Sequence, residues 1–285
     1  MLREIMSGTT WRSTRTIGGV SDWLIDDAAR DGISPRSAWL VFWLPLAGWA
    51  ILSVMFVVAR PYYYVLLRED QVVEWGQFAL CLFTAVVAVV AAWRIRRSSP
   101  WAAAFLLLVA LGCFFLAGEE ISWAQRVIGI ETPAALSEAN QQGELNLHNI
   151  NAGFDPQMLF KLASVGLGLL GVVGVVVVRM LRRGGETFRL LAPPAVTIPG
   201  FAGIVAYFPV MLFDEVPAPL SIFQEWVECA LYVSLTAAVL AIVLRTDPPP
   251  ATRRLLAWSG VLVAALTLVF AALTAINGIK PGNVP

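Results

Sequence analysis

Apolar residues run along this chain in stretches of about 20, separated by short segments rich in Arg, Pro and Gly. A stretch of that length crosses roughly 30 Å of hydrocarbon as a helix. The pattern predicts seven spans, at 39–58, 71–93, 100–121, 157–181, 195–213, 220–244 and 254–276. Pro199 and Pro209 interrupt the fifth, a break that neighbouring helices in a membrane tolerate. The fold class is therefore an all-α polytopic helix bundle, with a cytoplasmic tail over 1–38 and a transmembrane domain over 39–285. Within the tail, Ser21-Asp22-Trp23-Leu24-Ile25 starts a short amphipathic helix lying on the membrane. The tail has no apolar core followed by a small-residue cleavage site, so no cleavable signal is expected.

Composition agrees with a lipid environment. Hydrophobic residues make up 58% of the chain and charged ones only 14%, against about 25% charged in a soluble domain; mean hydropathy is +0.72. A basic surface for nucleic acid is not expected, because formal net charge is zero. The abundance of Arg over Lys, with many Ala and Val, points to a GC-rich bacterial genome and hence to the bacterial inner membrane. The partners implied are the lipid bilayer, a lipid-like substrate and a membrane partner protein.

Charge then orients the bundle. With the N-terminus in the cytoplasm, 15 of the 20 Lys and Arg residues fall on the inner side, in the tail, at Arg94/Arg96/Arg97, at Arg179/Arg182/Arg183/Arg189 and at Arg245/Arg253/Arg254. This obeys the positive-inside rule and predicts the N-terminus in and the C-terminus out. Thirteen of the 20 acidic residues take the outer side, which the rule does not require. An acidic outer face attracts cations or basic groups.

Several of these acids fall at membrane depth. Glu74, Gln77 and Cys81 share one face of the second span, and Glu225 and Glu228 share one face of the sixth, where Ser221 with Gln224 reads as a capping box. Glu119 and Glu120 end the third span; if that helix continues, Glu119, Ser122 and Arg126 form one stripe, with Arg126 placed to pair with Glu119. Glu69, Asp70, Asp214 and Glu215 read as interfacial carboxylates. Ionised groups at depth normally face a protein interior or a water-filled cavity, so Glu74, Glu225 and Glu228 are expected to line one.

The long outer segment 122–156 is expected to fold back over the helix ends as a lid, with a short helix over about 133–141 opened by Thr132-Pro133. It carries His148, the single histidine of the chain. A catalytic set of Glu74, Glu119, Glu120, His148, Glu225 and Glu228 follows. Glu74, Glu120, His148 and Glu225 are a possible ligand set for a divalent metal ion, although no spacing matches a known ligand motif. Cys81, Cys113 and Cys229 fall inside spans, and no disulfide is expected.

Glu74-Trp75-Gly76-Gln77-Phe78-Ala79-Leu80 aligns with Glu225-Trp226-Val227-Glu228-Cys229-Ala230-Leu231, identical at four of seven positions with an offset of 151. The same offset carries the first span onto the fifth and the third onto the seventh, a possible parallel 3+1+3 repeat of the kind found in transporters. Gly166-x-Gly168-x-x-Gly171 lies inside a predicted membrane helix with no preceding strand, so it is not a nucleotide fingerprint; Ser164, Gly168 and Gly171 read as a small-residue stripe for close helix packing.

Glu119-Glu120 followed by Arg126 differs from the first motif of glutamic-type intramembrane proteases in the position of the Arg, and the chain lacks that family's further histidines. The run Gly118 to Arg126, together with Asn146 to Asn149, is similar to uncharacterised bacterial multi-pass membrane proteins, a resemblance that implies no activity. Three functional classes stay open: a metal-dependent enzyme acting on a lipid or lipid-linked substrate at an outward-facing carboxylate-rich cavity, a proton-coupled or cation transporter, and a non-catalytic subunit or assembly factor of a membrane complex.

Overall fold

The computed structural model describes residues 19–134, 137, 140, 145–147, 150, 156–212 and 216–277. Among these, helices follow in the order α1 (Val20–Arg30), α2 (Pro35–Val58), α3 (Arg60–Leu67), α4 (Val72–Ile95), α5 (Pro100–Glu120), α6 (Gln125–Ile128), α7 (Pro156–Gly174, prolonged by a π turn over Val175–Met180), α8 (Glu186–Leu191), α9 (Ile198–Met211), α10 (Ala218–Arg245) and α11 (Pro250–Asn277). Six stretches are long and apolar enough to cross a membrane: α2, α3 with α4, α5, α7 to Met180, α10 and α11. The chain is thus a multi-pass membrane protein suited to a lipid bilayer. The fifth predicted span is shorter, an apolar segment over Ala195–Met211.

Local sequence explains the helix ends. Ser34 caps α2, its Oγ accepting from Ser37 N at 3.2 Å, with Pro35 in the first turn. Pro199 falls in the first turn of α9 and so starts that helix rather than breaking it. The capping box expected at Ser221 is not formed. Pro217 and Pro219 start α10 earlier, at Ala218; Ser221 Oγ donates to Ala218 O, and Gln224 reaches forward to Glu228 at 2.6 Å.

α10 is the centre of the bundle: 78% of its most apolar window is buried, against 11% for α11 and 17% for α2. α4 lies against it in parallel. Gln77 meets Glu225, Thr84 bonds Thr236 at 2.6 Å, and Arg94 bonds Thr246 at 2.6 Å. α5 packs antiparallel against α4, and the buried residues of the two helices include Ala85, Ala88, Ala92, Ala102, Ala103 and Ala110, small side chains that suit close helix packing. α9 descends on the other side of α10, where Gly200 sits so close that a Cβ would fall 2.2 Å from Ala230 O and Ser234 Oγ. Gly168 and Gly171 of α7 receive Phe201 and Ile204 of α9, as the small-residue stripe predicts. α2 crosses over α10 at a notch made by Pro45 and Gly48, which takes the Trp226 ring; the Trp226 indole donates to Pro45 O at 3.2 Å. Outward faces carry Leu40, Leu108, Leu111, Leu159, Leu170 and Leu262 exposed, as lipid-facing surfaces do.

One end of the bundle is tied by a buried ionic knot. Asp31 bonds Arg179 at 2.7 Å and Arg245 at 2.7 and 2.8 Å. Arg245 also donates to Leu190 O and Ala192 O, and Arg179 to Ala192 O and Pro193 O. Asp27 accepts from Ala195 N at 2.8 Å and faces Arg179 at 3.6 Å. The knot fastens α1 to the bundle, with Leu24 and Ala28 packed among Val175, Ala195 and Val196.

Candidate functional site

The carboxylates gather at the end opposite this knot. α5 stops after Glu120 because the next residues leave the helical region: Ser122, Trp123 and Ala124 have φ of 46°, 53° and 66°. Three successive non-glycine residues in left-handed conformations cost about 1–3 kcal/mol each, and such strain persists where the surroundings over-determine it. Here Trp123 folds back over Gly118, and its indole donates to Glu119 Oε1 at 2.6 Å.

The turn redirects Arg126. The helix does not continue into a Glu119–Ser122–Arg126 stripe; instead α6 swings the guanidinium toward the start of α4. Arg126 is 3% exposed. It contacts Glu74 at 3.0 Å, Asp70 at 3.3 Å and Glu69 at 3.8 Å, and donates to Glu120 O at 3.1 Å. Glu69 and Asp70, expected to be plain interfacial carboxylates, are therefore partners of a buried cation. Asp70 N also donates to Glu74 Oε2. One arginine stitches the second and third spans together through residues 52 positions apart.

Glu119 anchors the returning outer segment, since Glu119 Oε2 accepts from Leu147 N at 2.7 Å. Gln125 does the same, accepting from Leu145 N at 2.7 Å and donating to Ile130 O and Thr132 Oγ1. Asn140 bonds Asn146 twice at 2.8 Å and bridges to Ile150. The described part of the predicted lid thus folds back onto the end of α5. Ala134 and Ser137 are helical, within the short helix expected there. His148, Glu144, Asn149 and the Asp155 cap lie outside the described residues.

Beside the left-handed turn, Glu120, Glu225 and Glu228 approach one another. Each is half-buried. Glu120 lies within electrostatic reach of Glu225, Glu228 and Glu74, and Glu225 of Glu228, Glu74 and Glu69. Gln77, fully buried, donates its Nε2 to Glu225 O at 2.6 Å and Glu225 Oε2 at 3.3 Å. Deeper, Cys81, Cys113 and Cys229 are free and buried, in the surroundings of Tyr232 and Glu120. The Thr84–Thr236 pair follows, and below it the buried residues of α4 and α10 are Val87, Ala88, Ala91, Val239, Ala241 and Ile242. The polar groups thus give way, deeper between α4 and α10, to an apolar plug.

The structure therefore brings Glu74, Glu120, Glu225 and Glu228 together, and turns Glu119 outward to the lid. Among the described residues no three His, Cys, Asp or Glu side chains are near enough to hold one metal ion. Sequence reasoning missed Gln125 as a lid anchor and Glu69, Asp70 and Glu74 as partners of Arg126, because the left-handed turn that aims these groups has no glycine to signal it. No protein-family model, curated protein or solved structure matches the chain.

Proposed function

We propose that this chain is a seven-crossing protein of the bacterial inner membrane, N-terminus in and C-terminus out, whose outer end forms an acid–base enzyme site for a lipid or lipid-linked substrate. The parallel contact of α4 and α10 supports the crossing number: α7 ends near the ionic knot and α10 begins at the carboxylate end, so the segment carrying α9 must traverse the bundle. The arginines at the knot end support the orientation.

The observation that carries the catalytic reading is the convergence of Glu120, Glu225 and Glu228 beside the anchored outer segment, with an apolar plug beneath. A carboxylic acid donates a proton and a carboxylate accepts one, and two or three in one water-restricted site can serve both steps of a hydrolysis or group transfer. Glu74, neutralised by Arg126, is a positioning residue, and Glu119 holds the lid. A transporter needs a polar route to the inner side, and the apolar plug argues against one.

The test is conversion of lipid. Full-length protein is incubated with extracted bacterial inner-membrane lipids and the products are read by mass spectrometry. Glu120→Gln, Glu225→Gln and Glu228→Gln should each reduce turnover of the converted lipid by about 10²-fold or more. A lipid profile identical for the native chain and the triple variant would remove the enzyme reading.

A further inference from the structure

The Gln77 amide does not fit a purely structural role. Its side chain is fully buried at the mouth of the carboxylate cluster. Nε2 is committed to Glu225, and Oε1 has no hydrogen-bond partner. A buried acceptor left without a donor is costly. Among the neighbouring donors, most are directed away from that oxygen, and the Tyr232 hydroxyl lies near Glu120 and Glu228. Gln224 Nε2 bonds Glu228, Tyr63 OH bonds Pro219 O, Tyr207 OH bonds Leu220 O, and the Arg126 guanidinium pairs with Glu74 and Asp70. Acceptors therefore outnumber donors here: Gln77 Oε1 and the carboxylates of Glu120, Glu225 and Glu228 stand against the one Tyr232 hydroxyl.

An acceptor-lined space selects a ligand made of donors with positive charge. Among the described residues no three His, Cys, Asp or Glu converge on one point, as a protein-built cation cage needs. A primary ammonium differs: its three N–H donors point apart, reach separate acceptors at ordinary hydrogen-bond distances, and each bond to a charged acceptor is strong. We propose that Gln77, Glu120, Glu225 and Glu228 form a binding site for a protonated primary amine, carried by a lipid headgroup or by a soluble molecule. The assignment rests on the reading of these carboxylates as a substrate site and names the chemical class of that substrate.

The probe is ethanolammonium chloride, with choline chloride at equal ionic strength as its methylated counterpart that has no N–H to donate. Full-length protein is placed in phosphatidylcholine nanodiscs and its thermal unfolding followed against concentration. Ethanolammonium should raise the midpoint saturably and choline should not. Gln77→Leu should weaken the apparent affinity about tenfold, the effect of one hydrogen bond to a charged group. Glu120→Gln, whose carboxylate has no side-chain hydrogen bond to lose among the described residues, should weaken it without disturbing the fold. Nanodiscs containing phosphatidylethanolamine then separate the sources: competition with ethanolammonium identifies a lipid headgroup, and its absence, with binding retained, a soluble amine. An equal response to choline, a response to magnesium alone, or affinity unchanged in both variants overturns the proposal. Lipid conversion without amine binding would overturn the amine assignment and leave the acid–base reading intact. Amine binding without conversion would do the reverse.

Discussion

Asp27 on α1 and Asp31 just past its end stand one helical turn apart, and Arg179 treats them differently. Asp31 is held by Arg179 and Arg245 at 2.7 Å each. Removing it by Asp31→Ala leaves two buried guanidinium groups short of their counter-charge, and stability should fall by about 3–5 kcal/mol, the usual result of breaking a buried pair; thermal unfolding in detergent reads this directly. Asp27 lies farther from Arg179, and burial pushes its carboxyl up from the usual range against the pull of Arg179 and Ala195 N, with Asp31 adding to the push and Arg30 opposing it. A raised value in the folded state means that the charged form opposes folding. The associated stability is present in acid, below the ordinary aspartate value of about 3.9, and declines as pH rises through the folded value. Asp27→Asn keeps an acceptor for Ala195 N and removes the titration. Its melting temperature relative to the native chain should rise between pH 4 and pH 7; a gap that narrows over that range would show that ion pairing outweighs burial. Neither aspartate stands out in the sequence, because the arginines of Asp31 are 148 and 214 positions away and the Ala195 N–H of Asp27 is 168 away.

Helices here are legible where hydrophobic length decides them and illegible where a neighbour does. Two glycines separate the cases. Gly200 on α9 would place a Cβ 2.2 Å from Ala230 O, whereas Gly76 on α4 has nothing within 4 Å. Gly200→Val should force α9 away from α10 and destabilise by about 1–3 kcal/mol or more. Gly76→Ala should be neutral or stabilising by up to about 1 kcal/mol, since alanine is the better helix former. A chemical denaturation series on both variants checks the pair, and similar losses at the two positions would refute the close α9–α10 contact. The small-residue stripe of α7 was readable because its spacing is helical. The end of α5 was not, because the turn at Ser122, Trp123 and Ala124 is made by residues that rarely adopt it. A helix continued through Ser122 would aim Arg126 at Glu119; the bend brings it to Glu74. The aligned pair of Glu-Trp segments does lie on two parallel helices in contact, yet their main neighbours differ: α4 packs on α5 and α11, and α10 on α9 and α2.

At the scale of the molecule, the proposed seven crossings place the ionic knot and the carboxylate cluster on opposite sides of the membrane. Single reporters at Gly185→Cys and Arg254→Cys should react with an impermeant thiol reagent only from the inside, and Glu131→Cys only from the outside. The native cysteines are all buried and give little background. Labelling of Gly185→Cys and Glu131→Cys from the same side would sink the topology.

Hydrophobic run length and arginine placement are properties of segments, so the sequence alone determined the multi-pass helical class, the lipid environment and the end of the bundle where the acids gather. It also marked Glu74, Gln77, Glu225 and Glu228 as residues sharing helix faces, because the helical period of a long apolar span is certain. The tertiary structure decided which of those faces meet. It paired Arg126 with Glu69, Asp70 and Glu74, sent Glu119 to the lid, joined α1 to the bundle through Asp31, and left the Gln77 oxygen without a donor. Each of these outcomes depends on groups far apart in the chain or on a backbone turn with no signal in residue type, and such relations exist only once the helices have packed.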